Sequence, residues 1–220
     1  MPTDHFIYTP PQQPLSIIYE DDELLIIDKP AGLLSVPGRL PEHQDSAYLR
    51  VLENYPTAKV THRLDMATSG LLMFAKHREV EVAMSKLFQA RAIKKHYVAL
   101  VQGQVINQGS IDLPLIADWP NRPKQKVDFK NGKPAKTLYE PIEYLAQTDT
   151  SRILLEPITG RSHQLRVHLA HIGHPITGDK LYHPEPTSSP LNRMALHASH
   201  LAFVHPFTLK LLTLTCQVPF

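Results

Sequence analysis

The chain has 220 residues, 42% hydrophobic and 20% charged, with a formal net charge of only +2. That balance suits a folded chain with a real core and excludes a disordered, collagenous or fibrous protein. A single cysteine, Cys216, cannot form an intramolecular disulfide or a multi-thiolate metal site, so the expected compartment is the reducing cytoplasm.

Residues 1–14 read as a flexible tail, rich in proline and glutamine and lacking the basic-then-apolar order of a secretory signal. Ser16–Glu20 and Glu23–Asp28 read as two strands around a polar turn at Asp21-Asp22. Leu24 to Ile27 are consecutively apolar, which predicts a strand covered on both faces and is far too short to span a bilayer. Lys29-Pro30-Ala31-Gly32 ends that strand, because Pro30 cannot donate to a ladder. Gly70–Ala75 is another apolar run of strand length. An amphipathic helix follows from about His77 to Arg91, where Val80, Ala83, Met84, Leu87 and Phe88 recur at helical spacing. Further strands are predicted at Lys95–Gln102, Arg152–Glu156, His200–Val204 and Phe207–Thr215, and a short helix over Ser162–Ile172 stopped at Gly173. His183–Asn192, rich in Pro and Ser, reads as a surface loop. Strands mixed with few helices, without regular βαβ alternation, predict an α+β fold with a mixed, largely antiparallel sheet. Residues 15–220 are expected to form one domain.

Charge is distributed unevenly. Val82–Ile111 holds Lys86, Arg91, Lys94 and Lys95 but no acid. Arg122, Lys124, Lys126, Lys130, Lys133 and Lys136 are opposed locally by Asp128 alone, and Pro157–Gly178 carries Arg161, Arg166 and four histidines without an acid. These stretches either line one face for an anionic ligand or form three separate solvated surfaces.

Three segments carry chemistry. Thr61-His62-Arg63-Leu64-Asp65-Met66-Ala67-Thr68-Ser69-Gly70 sets a carboxylate near a guanidinium in a polar stretch just before a buried strand, which is either an active-site loop or a turn with a surface ion pair. In Gly160-Arg161-Ser162-His163-Gln164-Leu165-Arg166-Val167-His168, a cap at Ser162 would put His163 and Arg166 on one helix face, with Arg161 at an end that favours anions. In Lys94-Lys95-His96-Tyr97-Val98, strand alternation separates Tyr97 from its neighbours, and a lone strand tyrosine is more often core than catalytic.

Together these segments resemble the RluA family of RNA pseudouridine synthases. His62-Arg63-Leu64-Asp65 with Thr68-Ser69-Gly70 is similar to one family motif, Lys95-His96-Tyr97 to a second and Gly160–His168 to a third. The likeness extends from Lys29-Pro30-Ala31-Gly32-Leu33 to Leu196-His197-Ala198 and His205-Pro206. The resemblance implies the pseudouridine synthase fold with a central RNA-binding cleft, and a reaction with no cofactor and no metal. It implies Asp65 as the essential carboxylate, Arg166 as its ionic partner, Tyr97 against the target base and Leu165 packed beside them. It implies Arg63 as the group filling the space of a flipped base. His62 is expected to order the loop or touch RNA. Arg161, Arg122, Lys124 and Lys126 are candidate RNA contacts. Asp118–Val127, with no S4-like domain ahead of the catalytic one, resembles the branch acting on both a 23S rRNA hairpin and the tRNA anticodon stem-loop. No membrane association and no obligatory protein partner are expected.

Rival readings fit less well. His163, His168, His171 and His174 lack an i, i+4 pair with an acidic or thiolate co-ligand. A non-catalytic RNA-binding module would leave Asp65, Tyr97 and Arg166 unused, and a glycosidase would normally want a second carboxylate.

Overall fold

The computed structural model describes residues 7–185 and 191–220. Twelve strands occur among these residues: β1 (Ser16–Glu20), β2 (Leu24–Lys29), β3 (Lys59–Val60), β4 (Ser69–Ala75), β5 (Lys94–Gln102), β6 (Gly109–Asp112), β7 (Leu115–Ala117), β8 (Gln125–Val127), β9 (Lys136–Leu145), β10 (Thr150–Pro157), β11 (Leu196–Val204) and β12 (Leu211–Thr215). The helices are α1 (Ala47–Leu52), α2 (Arg78–Gln89) and α3 (Gln164–His171). Ten of the strands form one sheet in the order β1-β2-β4-β11-β5-β10-β9-β6, with β12 on β11 and β3 on β4, while β7 and β8 form a separate ribbon. Its pairs are antiparallel except β4 with β11, which makes the sheet mixed, as the α+β reading expects.

Burial follows the sequence pattern. Leu24 and Ile26 of β2, with Leu71 and Met73 of β4, face Val80 and Met84 of α2 in one cluster. Leu25, Ile27, Leu72 and Phe74 face the other way, toward Ala47 and Val51 of α1. The run of apolar residues is therefore sandwiched between two helices. A third cluster joins β5 and β10 to Leu165 and Leu169 of α3.

Several expectations change. The residue before α3 is His163, not Ser162, and it sits in the left-handed region at φ 53° without a side-chain cap. Gln164 holds the turn instead, accepting from Thr159 Oγ1 and Arg161 N and donating to Lys136 O and Thr137 Oγ1. The last strand is shorter than predicted, because His205 N donates to Lys210 O and closes a turn over residues 206–210. Residues 7–14 are docked rather than loose. Tyr8 donates to Asp45 O and accepts from Leu34 N, and Arg50 donates to Pro11 O and Gln13 O. Residues 1–6, and the 186–190 part of the expected surface loop, lie outside the described residues. No described helix is long and apolar enough to cross a membrane.

Candidate active site

The segment 61–70 hangs from the edge of β4. The β3–β4 ladder ends at Val60 opposite Phe74, and side chains continue it: Thr61 Oγ1 donates to Met73 O at 2.7 Å, and His62 Nε2 accepts from Met73 N at 3.1 Å. The His62 ring packs on Phe88, and burial pushes its pKa down to about 3, so it stays a neutral acceptor. Ser35 Oγ bonds both the N–H and the C=O of Leu64. Lys29, fully buried, donates to Pro30 O, Leu33 O and Met66 O at 2.9, 2.7 and 3.2 Å. Burial lowers its pKa to about 7, yet three carbonyls match the three N–H groups of the ammonium form. At the far end Gly70 has φ +107°, and a Cβ there would collide with the Ala198 backbone, so this position needs glycine.

Asp65 thus stands on a loop braced on both flanks, with its side chain 27% exposed. Arg166 Nη1 donates to Asp65 Oδ2 at 3.1 Å. The same guanidinium is clamped from behind: Nε and Nη2 donate to the two oxygens of Asp179 at 2.7 and 2.8 Å, a bidentate pair with Asp179 fully buried. Burial works against the charge on Arg166, but the bonds to Asp179 and Asp65 outweigh it and raise the pKa. Asp179 also accepts from Leu181 N and Tyr182 N. It is thus satisfied without Asp65, and Arg166 arrives already aimed.

His163 supplies the second neighbour, with Nε2 3.8 Å from Asp65 Oδ1. Burial lowers its pKa, partly countered by Asp65, and leaves a neutral ring. Its Nδ1 lies 2.7 Å from Tyr182 Oη, which accepts from Gln125 N at 2.7 Å. With the phenol oxygen accepting there, its proton is free for Nδ1, which assigns the N–H of His163 to Nε2, facing Asp65.

Tyr97 reaches the site across three strands. Gly70, Ala198 and Tyr97 are neighbours in the β4–β11–β5 register, and Tyr97 packs against both the α1-side and the α3-side clusters. Burial, then the nearby Asp65 charge, raises its pKa, so it remains a neutral phenol. Leu165, 6% exposed, belongs to the α3-side cluster against which Tyr97 also packs. Asp65, Tyr97, Leu165 and Arg166 are therefore brought together, although Asp65 and Arg166 are 101 residues apart. Arg63 is exposed on the same loop and makes no ion pair with Asp65; its charge is felt at His163. Asp65 is paired with Arg166, so the sequence's surface Arg63–Asp65 pair does not form.

The remaining candidates sit further out. Arg161 is exposed and donates to Pro134 O. Arg122 and Lys124 lie between β7 and β8 and Lys126 within β8, on a ribbon tied to His163 through Gln125 and Tyr182. His62 braces the loop, the first of its two expected roles, with its acceptor nitrogen on Met73 N and its ring on Phe88. Sequence reading missed Asp179, Tyr182 and Ser35. Asp179 had one signal, being the first acid after the acid-free stretch 157–178.

For metal ligation, His168 is fully buried with Nδ1 on Thr137 Oγ1 and Nε2 on Leu113 O, so it serves the core. Among the described residues, Asp28, His197 and Cys216 have donor atoms within 4.8 Å of one another. Burial, with Asp28 beside it, pushes the Cys216 thiol up to about 12, which keeps it protonated in this packing.

The model of the RNA pseudouridylate synthase family matches residues 23–171. Dual-specificity RNA pseudouridine synthase RluA of Escherichia coli K12 is 52% identical over 201 residues, covering 90% of this chain and 91% of that protein. Its namesake in Pasteurella multocida is 49% identical over 215 residues, covering 97% and 98%. Among solved structures, human RNA pseudouridylate synthase domain containing 1 superposes with a TM-score of 0.79 at 27% identity, covering 96% of this chain and 87% of that one.

Proposed function

This chain belongs to the RNA pseudouridylate synthase family, and from that premise we propose that it isomerises uridine to pseudouridine in two RNA classes, a 23S rRNA hairpin and a tRNA anticodon stem-loop. The dual specificity rests on the relatives, named for it at about half identity over nearly the whole chain. The reaction breaks the C1′–N1 bond, turns the uracil and forms C1′–C5. C5 then loses its hydrogen and N1 gains one, so no redox partner is required. Such RNA substrates suit a cytoplasmic enzyme.

Asp65 supplies the carboxylate that starts the exchange, as nucleophile or as base. The observation that carries this reading is the clamp Asp179–Arg166–Asp65: a buried, doubly held guanidinium that presents one N–H to a partly exposed carboxylate. It holds one carboxylate oxygen, Oδ2, and leaves the other to face the substrate side. His163, through Nε2–H, faces the other oxygen. Tyr97 lies against the uracil, and its hydroxyl relays the C5 proton late in the reaction, taking that proton as it passes its own O–H proton to the nearby Asp65 carboxylate. Leu165 closes the apolar side. Arg63 fills the space the base leaves; a planar guanidinium stacks on neighbouring bases, and stacking worth about 1–3 kcal/mol per base is of the size that flipping costs. Arg161, Lys124 and Lys126 meet phosphate.

The test is tritium release from RNA carrying [5-³H]uridine, run on both stem-loops with wild type and Asp65→Asn. Wild type is expected to release tritium from both, and Asp65→Asn from neither while still binding. Turnover by Asp65→Asn would overturn the role of Asp65; release from one RNA class only would overturn the dual specificity.

A further inference from the structure

The ribbon β7–β8 carries a feature that the isomerisation chemistry does not use. Its tip, Trp119–Asn121, is a tight turn closed by Asn121 N on Asp118 O, Lys124 N on Asn121 O and Asp118 N on Lys124 O. Trp119, the chain's only tryptophan, is 68% exposed there. The Arg122 guanidinium lies over its ring, 3.9 Å from the centroid. One face of the indole is thus covered by a cation, and the exposure belongs largely to the rest of the ring. Phe129, 77% exposed, occupies the turn just after β8, so Lys124 and Lys126 lie between two exposed aromatics in sequence, with Lys130 next to the second. An exposed indole gains little from water, and a guanidinium over its ring adds a cation–π attraction.

The ribbon is also fastened to the active site. Leu115 and Ala135 pack on Val167, the α3 residue next to Arg166, with Val127 and Tyr182 against them. Tyr182 Oη joins Gln125 of β8 to His163, and Arg166 lies 5.1 Å above the Tyr182 ring. An RNA segment seated on the ribbon is therefore held in register with Asp65.

We infer that Trp119, backed by Arg122, is a stacking platform for one unpaired nucleobase of the substrate RNA, outside the pocket that holds the target uridine. The claim rests on the proposed function, since it takes RNA as the ligand. The cation behind the ring and the lysines beside it suit a polyanion, and the flat open face suits a base, in the pattern by which single-stranded nucleic acid is held. Arg122, expected as a phosphate contact, uses its face on the indole and keeps its N–H edge for phosphate.

Because Trp119 is the only indole, its emission reports this spot alone. Asp65→Asn protein is titrated with a stem-loop RNA, with a fully paired RNA duplex, and with heparin as a polyanion without bases. Quenching by the stem-loop but not by heparin or duplex is the expected result. Equal quenching by all three, or none by the stem-loop, would show an electrostatic surface only and overturn the platform. In the active background Trp119→Ala should raise KM and Kd for the stem-loop between about five- and a hundred-fold, and Trp119→Phe should restore most of it. The salt slope of binding should stay unchanged in Trp119→Ala, whereas Lys126→Ala should lower it by about one. Unchanged KM in Trp119→Ala, with wild type active, would sink the platform alone. Absence of pseudouridine in wild type would instead sink the proposed function.

Discussion

At Asp65 the carboxylate is less informative than what stands behind it. Two of the three nitrogens of Arg166, Nε and Nη2, donate to Asp179, which fixes the guanidinium plane, and the third, Nη1, donates to Asp65. Replacing Asp179 by Asn keeps the shape but removes the charge that pays for burying the guanidinium. Breaking such a buried pair costs about 3–5 kcal/mol in stability. We expect Asp179→Asn to melt lower and to lose about ten- to a hundred-fold in kcat, by loosening a bond that positions the Asp65 carboxylate. Thermal melting beside tritium release checks both halves; full activity in a destabilised protein would mean that Asp65 holds Arg166 unaided. Tyr182→Phe is milder. It leaves Gln125 N and His163 Nδ1 without their shared partner, a loss of about 1 kcal/mol per bond, seen as a modest fall in denaturant midpoint.

At the scale of elements, the sequence was readable where one physical signal dominated. β2 and β4 show as unbroken apolar runs because helices cover both their faces, and α2 shows its period because Val80 and Met84 alone are fully buried along it. β9 was missed. It alternates poorly, carries Pro141, and leaves Glu140, Glu143 and Tyr144 exposed. α1 has six residues, too few for a period, although Ser46 caps it with Oγ accepting from Leu49 N. The candidate site was readable as three motifs, but their meeting depends on register: β4 beside β11 beside β5 sets Gly70, Ala198 and Tyr97 in a row. Gly70 is where that register is most exposed to error. Alanine there faces both the positive φ and the Ala198 backbone. The cost of such strain is about 1–3 kcal/mol before the collision is counted. Gly70→Ala should therefore lower the urea midpoint more than alanine at solvent-exposed Gly173, which has nothing within 4 Å of its Cβ position. Equal losses would mean that the φ, shared by both glycines, carries the whole effect.

Across the whole molecule, the histidines make stability depend on pH before any carboxylate titrates. His62, His163, His168 and His197 all have pKa values pushed below the ordinary range, first by burial. The unfolded chain takes up protons at these rings near pH ~6.5, and the folded chain does not. Below that pH the unfolded state binds more protons, so stability falls as pH falls, with the loss continuing toward the folded value, about 3 for His62. Each ring that stays neutral contributes a slope of at most about 1.4 kcal/mol per pH unit in that window. The depressed carboxylates, Asp45 among them, add their own loss only lower, below pH ~4. Urea midpoints at pH 7.5, 6.5 and 5.5 separate the two. We expect little change over the first interval and a clear drop over the second, shallower in His62→Gln, where an amide still accepts from Met73 N without a proton to exclude. A flat midpoint down to pH 5.5 would mean that the rings take up protons inside the fold. The loop bearing Asp65 would then loosen in acid while the core stayed intact, because His62 is the ring that ties this loop to β4.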